Sequence, residues 1–148
     1  MHEGESERGS KPLEDPGTFY EAVTEGVRVR VQPDYLEEQS SPEQGRHVWA
    51  YHVEIVNGSK VTVQLTSRHW RITDAAGHTE RVDGPGVVGE QPILNPGDAF
   101  RYASGCPLQA DSGFMEGTYT MVREDGSTFE AAIPAFSLDL PRARRAVN

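Results

Sequence analysis

Residues 67–94 read SRHWRITDAAGHTERVDGPGVVGEQPIL, and this stretch decides the fold because it contains the one motif that could signal a nucleotide site. The motif is the Gly-x-Gly-x-x-Gly loop at residues 84–89. In a dinucleotide site such a loop joins a strand to a helix, because the pyrophosphate binds the exposed amides of the helix. Here two valines and then Pro92 follow, which favours a strand and disfavours a helix. We therefore predict a tight turn in an all-strand scaffold.

The sequence on both sides of this stretch alternates between apolar and polar residues. This period of two predicts eight strands, at residues 27–31, 49–55, 61–65, 79–82, 87–94, 98–103, 117–123 and 128–140. Turn sequences such as Asn95-Pro96-Gly97-Asp98 separate them, and no helical periodicity intervenes. This pattern is typical of antiparallel sheets packed face to face. We predict an all-β fold, an antiparallel β-sandwich of seven or eight strands, with a closed barrel as the alternative.

One strand changes parity along its length. Val61 and Leu65 belong to one face of this strand, whereas Trp70 and Ile72 fall on the opposite parity. An extra residue in a strand reverses the alternation, so a β-bulge within residues 66–69 would return all of these side chains to one face. The alternative is that Trp70 packs on the outer face, under a loop or a partner chain.

Composition divides the chain into three segments. Residues 1–17 are rich in Glu, Gly, Ser and Pro, and are predicted to form a disordered acidic tail. Residues 18–141 are expected to form one β-sandwich domain. Residues 142–148 contain three arginines and are interpreted as a basic, solvated tail.

Charge and cysteine content exclude several classes of function. The formal net charge of −9 repels a phosphate backbone, so no nucleic-acid partner is expected. Cys106 is the only cysteine, so no intramolecular disulfide can form and a cytoplasmic location is expected. No apolar run approaches the length that crosses a bilayer, so no membrane insertion is expected.

Two groups of residues are candidates for binding. A nest of backbone amides beside arginines attracts phosphate groups. The candidate anion or ligand site of this kind consists of Gly84, Gly86, Gly89, Arg68, Arg71 and Arg81. The candidate interaction surface consists of Arg68, His69 and Trp70.

The sequence shows no catalytic constellation. Cys106 with His69 is the nominal nucleophile and base, although the turn-rich setting of Cys106 favours a small buried thiol. His47, His52 and His78 show no spacing that would converge on one metal ion. We therefore expect no enzyme, no catalytic residue, no cofactor and no metal site.

Edge strands of an open sandwich need protection or a partner. Residues 27–31 are predicted to be an edge protected by Arg28 and Arg30. The run at residues 128–140 is interrupted by Pro134, which fits an edge or a bulge.

Long segments of the chain resemble one known family. They are VQPDYLEEQSSPEQGRHVWAYHVEI (31–55), VQLTSRHWRITDAAGH (63–78), GPGVVGEQPILNPGDAFRYASGCPL (84–108), GTYTMV (117–122) and IPAFSLDLP (133–141). Together they are similar to the ApaG family, also called CorD, over nearly everything between Val27 and Pro141. The resemblance implies a fibronectin type III-like sandwich of the immunoglobulin-like class, often a homodimer, that holds partners rather than catalysing reactions.

The main functional expectation is a non-catalytic protein-interaction domain with an unidentified protein partner. A homodimer is expected through a sheet edge or through an exposed aromatic face containing Trp49 or Trp70. One alternative is weak binding of pyrophosphate or a nucleotide polyphosphate at the glycine loop. The other, implied by the family's second name, is a link to cobalt resistance, magnesium efflux and divalent-cation homeostasis.

Overall fold

The structure is a computed structural model that describes residues 2–8 and 19–141. Its strands are β1 (His2–Arg8), β2 (Tyr20–Thr24), β3 (Val27–Tyr35), β4 (His47–Asn57), β5 (Val63–Asp74), β6 (Thr79–Pro85), β7 (Ile93–Leu94), β8 (Ala99–Leu108), β9 (Gly113–Arg123) and β10 (Thr128–Leu138). The only helical segments among the described residues are two 3-10 turns, Glu37–Gln39 and Pro42–Gln44. No described helix has the length and apolar character needed to cross a membrane.

The strands form two antiparallel sheets packed face to face, which confirms the predicted all-β antiparallel sandwich. The first sheet has the order β1-β8-β4-β3-β2, and the second has the order β10-β9-β5-β6, with β7 paired to β5. The described residues contain ten strands, more than the seven or eight predicted, because β1 and β2 had no apolar alternation strong enough to be recognised. Most of the strand predicted at residues 87–94 is a turn, and only Ile93–Leu94 is extended.

One side of the sandwich is closed and the other is open. Strand β10 packs against β2 and β3, and the N–H of Ala132 donates to Thr24 Oγ1 at 3.0 Å. The opposite ends of the two sheets, β1 and β6, are therefore both on the other side. On that side the gap between the sheets is not bridged by any described strand.

The N-terminal segment differs in part from the predicted disordered tail. His2–Arg8 pairs with β8, with His2 opposite Gly105 and Arg8 opposite Phe100. An edge strand is held by main-chain hydrogen bonds, which require no apolar side chains, so composition did not reveal it. Met1, residues 9–18 and the predicted basic tail at residues 142–148 lie outside the described part of the chain.

The edges of the sheets match the sequence prediction in one case out of two. The predicted edge at residues 27–31 is wrong, because β3 lies between β2 and β4. Strand β10 does end its sheet, and its register shifts between Ile133 and Phe136, around Pro134. The expected edge or bulge at Pro134 is therefore confirmed.

The β-bulge predicted within residues 66–69 is present at Thr66. The register between β5 and β9 shifts between Leu65 and Ser67, so Thr66 is the extra residue. Leu65 and Trp70 then both face the core, with exposed fractions of 0% and 2%. The alternative of an outward-facing Trp70 is excluded.

Both tryptophans are buried in the core. The Trp70 ring centroid lies 5.2 Å from that of Tyr51 and 6.1 Å from that of Phe136, in edge-to-face geometry. Such aromatic pairs add about 0.5–1.5 kcal/mol each beyond their burial. Trp49 is 1% exposed and donates its Nε1–H to the Asp139 carbonyl at 2.9 Å. The predicted dimerisation through an exposed aromatic face containing Trp49 or Trp70 is therefore wrong, because both side chains belong to the core.

Candidate functional site

The glycine loop joins β6 to β7 through a two-residue hairpin turn. Val87 and Glu90 exchange two main-chain hydrogen bonds of 2.8 Å. The central residues Val88 and Gly89 have φ values of 41° and 80°, as a type I′ turn requires. The predicted tight turn is confirmed, and no helix begins behind Gly89. Val88 is β-branched, so its positive φ costs about 1–2 kcal/mol.

The first two glycines of the motif make room for neighbouring atoms. A Cβ on Gly86 would lie 2.2 Å from the Glu90 carbonyl oxygen, and a Cβ on Gly84 would lie 3.0 Å from Arg68 Nη2. The Arg68 guanidinium packs against Gly84, and its Nη1 donates to the carbonyl oxygens of Pro85 and Gly86 at 3.0 Å each. The motif is thus explained by backbone packing and by the passage of one arginine, without a nucleotide.

The arginines of the predicted anion site do not converge. Arg68 has the same parity as Trp70, and the bulge at Thr66 turns both side chains towards the first sheet. Arg71 and Arg81 lie on the outer face of the second sheet, in a depression of about 300 Å³. Arg71 Nε lies 3.6 Å from Glu116 Oε2 in that depression. The six predicted residues therefore do not form one site, since strand alternation separates their side chains.

The predicted interaction surface is divided in the same way. Arg68, His69 and Trp70 are consecutive strand residues, so their side chains alternate between the two faces. Only His69 points outward, while Trp70 is 2% exposed and belongs to the core. These three residues cannot contact one partner together.

His69 belongs to a hydrogen-bond chain on the outer face. Its Nδ1 lies 2.9 Å from Asp83 Oδ1, and its Nε2 lies 3.0 Å from Thr120 Oγ1. This order of carboxylate, imidazole and hydroxyl resembles a hydrolase triad. The Thr120 hydroxyl, however, donates to the Glu130 carboxylate at 2.9 Å. Its proton is therefore not taken by His69, and Thr120 is not activated as a nucleophile.

Cys106 and His69 are not brought together. Cys106 is 2% exposed between the sheets, and burial raises the pKa of its thiol to about 12. His69 lies on the outer face of the other sheet. A buried neutral thiol is unreactive, so this pair offers no nucleophile. Within the described part of the chain, no three His, Cys, Asp or Glu side chains are grouped to hold a metal ion.

A cavity of about 80 Å³ lies between the sheets on the open side of the sandwich. Its wall consists of Tyr51, Arg68, Trp70, Val82, Val87, Val88, Tyr102 and Ser104. The hydroxyl of Tyr102 lies 2.5 Å from that of Tyr119. Burial raises the pKa of both Tyr51 and Tyr119 above the usual value, so both phenols stay neutral at neutral pH.

Sequence reasoning missed the residues that the first sheet contributes to this cavity. Tyr51 and Ser104 are opposite each other in the pairing of β4 with β8, although they are far apart in the sequence. The signal that could have found them is the parity of Tyr51 and Tyr102, which places a polar aromatic side chain on the inner face of each strand.

Two antiparallel sheets packed face to face define a β-sandwich domain, and this one carries a glycine hairpin and an inward-facing arginine. The ApaG domain family model matches residues 37–123. Curated proteins named Protein ApaG from Brucella canis and from Brucella abortus strain 2308 are each 60% identical over 130 residues, which cover 88% of this chain and 100% of theirs. The chain belongs to the ApaG family, and the resemblance seen in the sequence is confirmed.

Two solved structures support the same assignment. A crystal structure from Bordetella pertussis, provisionally described as an ApaA protein, has a TM-score of 0.77 and 48% identity, covering 78% of this chain and 94% of that one. The X-ray structure of another structural-genomics target has a TM-score of 0.74 and 45% identity, covering 78% of this chain and 88% of that one. The sandwich is therefore shared with experimentally determined relatives.

Proposed function

We propose that this ApaG domain is a non-catalytic protein-interaction module that binds an extended partner segment along β6. The observation that carries the proposal is the position of β6 at the end of its sheet, on the open side of the sandwich. An exposed sheet edge binds another strand through main-chain hydrogen bonds. The opposite end of the same sheet, β10, is already packed against β2 and β3.

Two hydrogen bonds show which backbone groups of β6 are available. The N–H of Gly86 donates to the Thr66 carbonyl at 2.9 Å, and the N–H of Asp74 donates to the His78 carbonyl at 3.0 Å. Bonded and non-bonded pairs alternate along an antiparallel ladder, so the positions between these bonds follow by parity. The main-chain groups that point away from β5 are those of Thr79, Arg81 and Asp83.

The next residue in this outward series is Pro85, which has no N–H to donate. The stretch open to an added strand therefore ends where the glycine loop begins. The first partner that we propose is a second copy of the chain, with β6 pairing antiparallel to β6 in a homodimer. We also propose that a different protein can bind the same edge and that the protein is cytoplasmic. Strand addition at β6 depends on neither of these two statements.

The matched pair Arg81→Pro and Arg81→Ala tests strand addition. Both variants remove the same side chain, but only proline removes the outward N–H and places its ring at the open edge. Neither removes a hydrogen bond to β5. We expect the alanine variant to self-associate like the wild type in sedimentation equilibrium, and the proline variant to remain monomeric. Thermal unfolding monitored by circular dichroism controls for loss of fold.

A proline variant that associates as strongly as the alanine variant would refute addition at β6. If the wild type is itself monomeric, a photocrosslinking amino acid is placed at position 79 in cells, and the protein that becomes crosslinked to it is identified. Position 128, on β10 at the far side of the sandwich, is the control. The proposal is supported if one protein is crosslinked from position 79 and not from position 128, and if the Arg81→Pro change abolishes that crosslink. Capture that is equal at both positions contradicts it.

The two alternatives receive less support from the geometry. A pyrophosphate site at the glycine loop would need the arginines that strand alternation places on different faces. A dedicated cobalt or magnesium site would need grouped ligands, and the described residues contain none.

A further inference from the structure

Among the described residues, Arg68 provides the only charge in the wall of the cavity between the sheets. Its Nη1 is bonded to the carbonyl oxygens of Pro85 and Gly86. Carbonyl dipoles stabilise a cation only in part, and no carboxylate among the described residues forms an ion pair with this guanidinium. A half-buried cation beside a low-dielectric gap is stabilised strongly by an anion that completes the pair.

The rest of the polar wall consists of groups that can donate hydrogen bonds. Trp70 lines the cavity, and its Nε1–H is buried without a hydrogen-bond partner among the described residues. An unpaired buried donor of this kind destabilises the folded state until it finds an acceptor. Tyr51, Tyr102 and Ser104 each add a hydroxyl group. Guanidinium and indole groups cannot accept hydrogen bonds, so the complementary ligand is an acceptor with negative charge.

The volume of the cavity limits the size of that ligand. About 80 Å³ corresponds to two or three waters at roughly 30 Å³ each. One carboxylate group fits this space, whereas a nucleotide polyphosphate does not. Carboxylates are also planar acceptors that match the fork of a guanidinium.

We propose that this cavity binds one carboxylate group, with Arg68 as its counter-ion and the Trp70 indole as a further donor. The carboxylate comes from a small acid in solution or from an acidic residue of a segment lying along β6, whose Val82 borders the cavity. The site is independent of strand addition, because a free carboxylate can enter whether or not β6 is paired.

Titration of the full chain with sodium acetate, followed by ¹⁵N NMR of the indole N–H groups, tests the site. The chain has two tryptophans, and Trp49 serves as an internal control because its Nε1–H is already donated to Asp139. We expect a saturable shift of the Trp70 signal and no shift of the Trp49 signal. Sodium chloride at the same ionic strength should move neither. Equal shifts of both signals, or the same shift with chloride, would overturn the proposal.

Two variants on the same strand separate the site from general electrostatics. Arg68→Gln should weaken acetate binding by about tenfold to a hundredfold, the effect of one charged hydrogen bond. Arg71→Gln removes the same charge from the outer face and should leave binding unchanged. An equal loss in both variants overturns the proposal. Because Arg68 also holds the glycine loop, the wild-type titration keeps the test valid if Arg68→Gln unfolds.

A pair of peptides distinguishes the two sources of the carboxylate. An extended peptide with one central Glu is compared with the same peptide carrying Gln, and both are compared with acetate. Tighter binding of the Glu peptide than of acetate assigns the source to a segment along β6. Binding equal to that of acetate assigns the site to small acids. Binding of the Gln peptide as tight as that of the Glu peptide, together with a silent acetate titration, refutes the carboxylate site.

Discussion

Deletion of Thr66 should leave the chain folded, although it shortens a strand in the centre of the second sheet. Thr66 is the extra residue of the bulge, so its removal makes Leu65 and Ser67 consecutive. Regular alternation then continues into Trp70, which stays on the core face. The deletion therefore removes the bulge without turning any buried side chain outward.

The cost of this deletion can be worked out from the two short hydrogen bonds that the Thr66 carbonyl accepts. They come from the N–H of Gly86 at 2.9 Å and from Nε2 of Gln91 at 2.8 Å. Each of these bonds contributes about 0.5–1.5 kcal/mol, so their joint loss should destabilise the protein by about 1–3 kcal/mol. Domains of this size have a free energy of unfolding of about 5–15 kcal/mol, so most molecules should remain folded.

Deletion of Arg71 is the matched control on the same strand. It lies outside the bulge, between Trp70 and Ile72, so these two buried side chains can no longer face the same side. Exposing the smaller one, Ile72, forfeits about 1.5–3 kcal/mol of transfer free energy. The vacated volume raises the total to about 3–5 kcal/mol. An exposed arginine thus becomes the more damaging residue to remove.

Urea unfolding of both deletion variants, followed by tryptophan fluorescence, measures these free energies. We expect the Thr66 deletion to lower the unfolding midpoint modestly and to keep a native emission spectrum. The Arg71 deletion should lower the midpoint by about twice as much. A Thr66 deletion that costs as much as the Arg71 deletion, or that shifts the emission towards exposed tryptophan, would refute the assignment of the bulge.

Three further changes test other parts of the structure. Gly117→Ala should lower the free energy of unfolding, measured in urea, by about 3–5 kcal/mol. The reason is that its Cβ would lie 1.9 Å from the His69 carbonyl oxygen. A loss below 1 kcal/mol would contradict this close approach of the two strands. Burial raises the pKa of the Cys106 thiol from 9.0 to about 12, so the contribution of this group to the free energy of unfolding should fall by about 1.6 kcal/mol between pH 9 and pH 10.5. Cys106→Ala should lose that much less over the same interval, and parallel curves would refute the raised pKa. Glu54 is 2% exposed and lies 2.8 Å from Arg101 Nη2, so Glu54→Gln should cost about 3–5 kcal/mol, whereas a neutral result would show that the pair is not buried in solution.

The fold was predictable because its signal is local. Alternation with period two can be seen within five residues, and the opposite parity of Leu65 and Trp70 was enough to locate the bulge. Strand β1 was not predictable, because strands pair through main-chain hydrogen bonds, and its pairing with β8 is not announced by any alternation in the sequence. The sequence contains no apolar pattern that would report such an edge.

The site was less predictable, because it depends on which side chains share a face. Arg68 and Arg71 are neighbours in the sequence, yet the alternation of β5 places them on opposite faces. The residues that do join Arg68, such as Tyr51 and Tyr102, come from the other sheet. Their meeting requires both the pairing of β4 with β8 and the stacking of the two sheets, and neither can be derived from local spacing.

The contact between Ala132 and Thr24 limits how many molecules can assemble. A protein with an unpaired sheet edge on each of two sides can bind further molecules indefinitely and grow into filaments. Here one side is closed within the molecule, and in the homodimer that we propose the paired β6 strands cap the free edge of the second sheet. Growth through the second sheet should therefore stop at two copies.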